Sequence, residues 1–131
     1  MNSLTLKQFQ EQVSELLLRH RSLLDVLSKL QQTNATVNRS VVKSITECGC
    51  IQLNAGKQRY TRSMTLEEAK DTLDSHVSGA LCEQCREIVT QELGSHLFYM
   101  SALGNLLNLD LEQVVDKESE KCSTLGLFKL S

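Results

Sequence analysis

The chain has 131 residues, with 14 Lys+Arg against 16 Asp+Glu and a formal net charge of −2; hydrophobic residues make up 40% and charged residues 23%, a globular rather than a disordered composition. No apolar run approaches the roughly 20 residues that a bilayer-crossing helix needs, and the N-terminal MNSLTLKQFQEQ lacks the charged and then apolar pattern of a secretory signal. The charge balance also lacks the basic excess of a nucleic-acid binder, so the expectation is a cytoplasmic protein with no membrane or nucleic-acid partner.

Proline is absent, glycine occurs 6 times and leucine 23 times. Few breakers and many straight-chain helix formers predict an all-α fold: an antiparallel bundle of four or five helices forming a single domain over 1–131. Phe9, Val13, Leu16, Leu17, Leu24, Leu27 and Leu30 recur at helical steps and predict a first helix from about Leu6 to Gln31, capped by Thr5. The polar stretch 31–36 reads as a break. Val41, Val42, Ile45 and Cys48 predict a second helix over about 38–53, and the segment 54–64, which holds Gly56 and a basic cluster, reads as a loop. Thr65 and Glu68 have the spacing of a capping box, opening a long helical stretch to about Leu107 that is interrupted near Ser78 and Gly79. Asp110 caps a last helix, about 111–122. The charge is uneven along the chain: residues 1–62 carry 9 basic and 4 acidic side chains, residues 63–131 carry 5 and 12. Halves of opposite sign suit packing within a chain or between copies, and mixed solvated faces explain them equally well.

Two constellations carry chemistry. One is a set of carboxylates on helices. Glu47 shares a helix face with Cys50, and Glu92 shares one with Ser95 and His96; carboxylates facing each other across a bundle hold Mg²⁺ through oxygen ligands. The other is sulfur. Cys48-Gly49-Cys50 and Cys82-Glu83-Gln84-Cys85 form a C-x-C and a C-x-x-C, able to hold Zn²⁺ or an iron–sulfur cluster. On an ideal helix Cys48 and Cys50 point about 200° apart, so both reach one ion only if the helix unwinds at Gly49. A three-thiol set of Cys50, Cys82 and Cys85, completed by Glu47, Glu92 or His96, avoids that requirement. The plain alternative is that these cysteines are small buried hydrophobes.

The stretch from Glu92 to Glu112, ELGSHLFYMSALGNLLNLDLE, resembles the third motif helix and following turn of MazG-like nucleoside triphosphate pyrophosphohydrolases. Residues 117–121 resemble the lysine-bearing helix that follows, and Thr46-Glu-Cys-Gly-Cys50 is similar to the E-E-x-G-E motif on the preceding helix. The match extends over about 88–121 and 40–53. It implies an all-α MazG-like domain, a homo-oligomer (dimer or tetramer), a nucleotide ligand, and Mg²⁺ held by Glu47 and Glu92 as catalytic residues. Lys57, Arg59 and Lys121 are candidates to meet phosphates from charge and chain position. Thr46, Cys50 and Ser95 stand where the family carries acids, so the resemblance implies an eroded Mg²⁺ site that hydrolyses nucleotides weakly or not at all. Rival readings are a non-enzymatic helical interaction module and a thiol-based metal-binding protein.

Overall fold

In a computed structural model the described residues are 3–17, 22–59 and 61–125. They form five α-helices and two short strands: α1 (Leu6–Leu16), α2 (Leu23–Lys43), β1 (Ile51–Leu53), α3 (Leu66–Thr72), β2 (Val77–Gly79), α4 (Glu83–Leu106) and α5 (Leu111–Leu125). The fold class is all-α, as the composition predicts, with one small antiparallel sheet that the sequence reading does not contain. No helix among the described residues is long and apolar enough to cross a membrane. The chain divides into two units, residues 1–38 with 90–131 and residues 39–89.

In the first unit, α1 opens on a complete capping box. The Thr5 hydroxyl accepts from the Gln8 N–H, and the Gln8 side chain accepts from the Thr5 N–H at 2.8 Å. The core is Val13, Leu17, Val26 and Ala102, flanked by Phe9, Phe98, Tyr99 and Leu103. This cluster explains why the expected single helix to Gln31 is instead two. Val13 and Val26 would stand about 20 Å apart on one straight helix, yet both pack into one cluster, so the chain breaks between them. The polar stretch 31–36, read as a break, is helical. The Thr33 and Thr36 hydroxyls donate to the carbonyls of Leu30 and Thr33, three residues back, so these polar side chains find partners within the helix.

A polar lock joins α1 to the turn between α4 and α5. Gln10 is buried, and its amide nitrogen donates to Asn105 Oδ1 and to the Leu109 carbonyl. Its amide oxygen accepts from the Leu111 N–H at 2.8 Å, while Asn105 donates to the Gln10 carbonyl. A buried amide with all these groups matched fixes the docking of α1 more specifically than apolar contact does. Asn108 takes the left-handed conformation in that turn, with φ 57°. Asp110 then accepts from the Glu112 N–H at 2.9 Å and opens α5, which extends to Leu125 rather than ending near Cys122.

The second unit departs furthest from the sequence reading. The helix expected over 38–53 ends at Cys48 in a widened turn, where the Gly49 N–H donates to the Ser44 carbonyl five residues back. Gly49 has φ 76° and lets the chain leave for β1. β1 pairs with β2 in the register Ile51 with Gly79, Gln52 with Ser78 and Leu53 with Val77. The helical stretch expected after Thr65, with its interruption near Ser78 and Gly79, is α3 and α4 with β2 at the interruption. α3 keeps its predicted cap, since the Thr65 hydroxyl accepts from the Glu68 N–H, but it stops after two turns because residues 77–79 pair as a strand.

Val26 is fully buried, so Val26→Ala is expected to cost roughly 2 kcal/mol through lost burial and the cavity left behind. Chemical denaturation of both proteins checks it.

Candidate metal centre

The sheet brings the two cysteine pairs together. With Ile51 opposite Gly79, the chain entering β1 faces the chain leaving β2, so residues 48–50 meet residues 80–82. The metal-binding atoms of Cys48, Cys50, Cys82 and Cys85 all lie within 4.8 Å of one another. The Cys48 and Cys82 sulfurs are 3.8 Å apart. Four sulfurs at about 2.3 Å from one ion in a tetrahedron sit about 3.8 Å from each other, so the quartet is close to the spacing that a single tetrahedral metal needs.

Each thiol is held by local backbone geometry. The left-handed Gly49 rotates Cys50 away from the helical direction it would otherwise take, which removes the 200° conflict of an ideal helix. The Cys50 thiol donates to the Ser44 carbonyl at 3.8 Å. Cys82 stands just before α4, and the Cys85 N–H donates to its sulfur at 3.4 Å. That bond, together with the Cys85 thiol, holds the Cys82 pKa down to about 7. The Cys82 sulfur in turn pushes Cys85 up to about 12. Cys48 is pulled down by the Cys85 thiol, but Cys82, Cys50 and desolvation together raise it above the ordinary value. Cys82 thus ionises before Cys48 and Cys85, and a cation bound among the thiols would remove their remaining protons.

Cys48 is exposed, whereas Cys50, Cys82 and Cys85 are half-buried. Cys48 and Cys85 also line a cavity of about 460 Å³, with Ser40, Lys43, Ser44, Glu47, Gln84 and Ile88 around it.

The other candidates from the sequence are distributed differently. Glu47 is exposed at the end of the widened turn and borders this cavity, but the sulfur quartet contains no carboxylate or imidazole. Glu92 is half-buried on α4 in the first unit. His96, also there, lies with Nδ1 2.8 Å from the Thr33 hydroxyl. Because that hydroxyl donates to the Leu30 carbonyl, the assigned arrangement has His96 Nδ1–H as the donor, tying α4 to α2. Lys57 and Arg59 are exposed between β1 and α3. Lys121 is on α5, 3.3 Å from Glu118. The sequence places Cys48 in a four-thiol set only if the helix unwinds at Gly49, and the left-handed Gly49 meets that condition, so Cys48 joins Cys50, Cys82 and Cys85 in place of Glu47, Glu92 or His96.

No protein-family model, curated protein or solved structure matches this chain.

Gly79 holds the quartet together from the other strand. It has φ 84°, and a Cβ there would lie 2.6 Å from the Cys50 carbonyl oxygen. Gly79→Ala is expected to displace the Cys50 backbone and weaken metal retention, read as a higher dissociation constant for Zn²⁺ in a competition titration against a chromogenic chelator.

Proposed function

We propose that this is a thiol-based metal-binding protein, in which Cys48, Cys50, Cys82 and Cys85 together hold one Zn²⁺ ion that fastens residues 39–89. The observation that carries this reading is the convergence of four sulfurs from two distant sequence pairs within 4.8 Å. A single tetrahedral ion suits that spacing better than an iron–sulfur cluster, because two or four irons hold their thiolates further apart. The unit's composition supports a structural role. Among its described residues the buried apolar side chains are Ile51 and Ala69, and its sheet is two strands of three residues. A unit this short with so little core is the kind that a metal stabilises, since binding free energy becomes folding free energy.

Protein purified under reducing, anaerobic conditions without added metal is expected to contain about one zinc per chain by elemental analysis, in line with a single tetrahedral site. Replacement by Co²⁺ should give an intense thiolate-to-metal charge-transfer band, and Cys82→Ser should lose it. Metal-free protein with an unchanged thermal transition on zinc addition would overturn the reading.

A nucleotide-binding, MazG-like role draws its support from the resemblance over residues 88–121 and 40–53, and Mg²⁺ at Glu47 and Glu92 from that resemblance alone. Pyrophosphate release from nucleoside triphosphates should be weak or undetectable in Mg²⁺, with any turnover abolished by both Glu47→Ala and Glu92→Ala. The homo-oligomer implied by the same resemblance has separate support in Leu93, Leu97 and Met100. These residues share one face of α4 and are 46%, 49% and 39% exposed.

A further inference from the structure

The quartet has an asymmetry that a purely structural zinc site does not require. Three of its thiols are half-buried, while Cys48 is exposed and opens onto the cavity of about 460 Å³. Closed structural sites keep their sulfurs from solvent, because a metal-bound thiolate remains a nucleophile toward oxidants. A small oxidant entering the cavity meets two thiols, the exposed Cys48 and the half-buried Cys85, and the exposed one is the more accessible. The lining also includes Lys43, Gln84 and Glu47, a polar wall that admits a small polar molecule. The Cys48 and Cys82 sulfurs stand 3.8 Å apart, near enough for a small side-chain rotation to bring them into bonding range.

Resting on the zinc reading above, we propose that hydrogen peroxide oxidises the centre at Cys48, and that a Cys48–Cys82 disulfide then discharges the metal. The Cys48 thiolate sulfur attacks one peroxide oxygen and the O–O bond breaks. Cys48 becomes a sulfenic acid, and hydroxide leaves to be protonated to water. The Cys82 sulfur then attacks the Cys48 sulfur. An S–S bond forms, the S–O bond breaks, and a second hydroxide becomes the second water. The two sulfurs give up two electrons and the peroxide accepts both. The ion keeps only Cys50 and Cys85 of its four ligands, too few for a closed tetrahedral site. Cys48 is suited to this movement because it adjoins the left-handed Gly49, where the helix has already ended. Cys122, exposed on α5 in the other unit, gives in the unmodified chain a reference for a thiol outside the quartet.

The test uses the full chain carrying Cys122→Ser, to prevent cross-linking between copies. After its zinc content is measured, it is titrated with hydrogen peroxide in the presence of a chromogenic zinc chelator. Non-reducing digestion and mass spectrometry then identify the disulfides. The expected result is loss of zinc in step with a Cys48–Cys82 linked peptide, reversed by dithiothreitol and fresh Zn²⁺. Differential alkylation early in the titration should find Cys48 oxidised ahead of Cys50 and Cys85. This readout stands even where a Cys48→Ser variant loses its metal or fails to fold. Zinc retained at peroxide levels that oxidise Cys122 in the unmodified chain would overturn the proposal and leave the zinc reading standing. So would release accompanied by other pairings without Cys48–Cys82. A protein that carries no zinc at the outset and takes none up overturns both.

Discussion

The arrangement of the whole second unit depends on one backbone register. Pairing Ile51 with Gly79 sets the chain before one strand against the chain after the other, which is what turns two distant cysteine pairs into one constellation. The register in turn needs glycine at two points. Gly49 supplies a left-handed step out of the helix, and Gly79 permits a carbonyl to approach where any Cβ would collide. The sulfurs are therefore positioned by main-chain geometry, which is stiffer than the rotamer preferences of surface side chains. In a site built in this way the ligand spacing follows from the backbone register of the folded unit.

The two units settle the same problem with different chemistry. Residues 1–38 and 90–131 bury a small aliphatic cluster and secure it with the Gln10–Asn105 amide lock and the His96–Thr33 bond. Residues 39–89 have little apolar interior, and their polar groups are satisfied locally. The Ser44 hydroxyl returns to the Val41 carbonyl and the Thr46 hydroxyl to the Val42 carbonyl. Hydroxyls bonding back to the preceding turn loosen the helical ladder, which fits the widened turn that begins at Ser44. The place where α2 weakens is thus the place where the sulfur centre begins.

Much of the helical content was legible from the sequence, because apolar residues at steps of three and four admit few other structures. The caps at Thr5, Thr65 and Asp110 were legible for a local reason: each needs only a hydroxyl or carboxylate within reach of an N–H two or three residues away. The break between α1 and α2 was not legible, since Val13 and Val26 carry no mark of the cluster that makes them neighbours. The strands were hidden too. Three-residue strands are too short for alternation to show, and their stability comes from each other rather than from their own composition. Of the candidate centre, the four cysteines were visible and so was the condition that Gly49 must unwind the helix. Whether that condition was met depended on a pairing across 23 to 27 intervening positions, which no local pattern reports.

Between Leu53 and Val77 the chain makes an excursion that includes α3, and its base is doubly closed. The ladder extends through the Asn54 N–H to the His76 carbonyl. Beyond that, the Gln58 side chain donates to the Asp74 carbonyl and accepts from the Asp74 N–H, 2.6 and 2.9 Å, so one amide acts as an extra rung. Closing a loop at its base separates its contents from its anchorage, and lengthening such a loop adds only a slowly growing entropic cost. Everything outward of that rung, including Arg59 and α3, is free to drift in length and sequence over evolutionary time without disturbing the sulfurs at the other end of the hairpin.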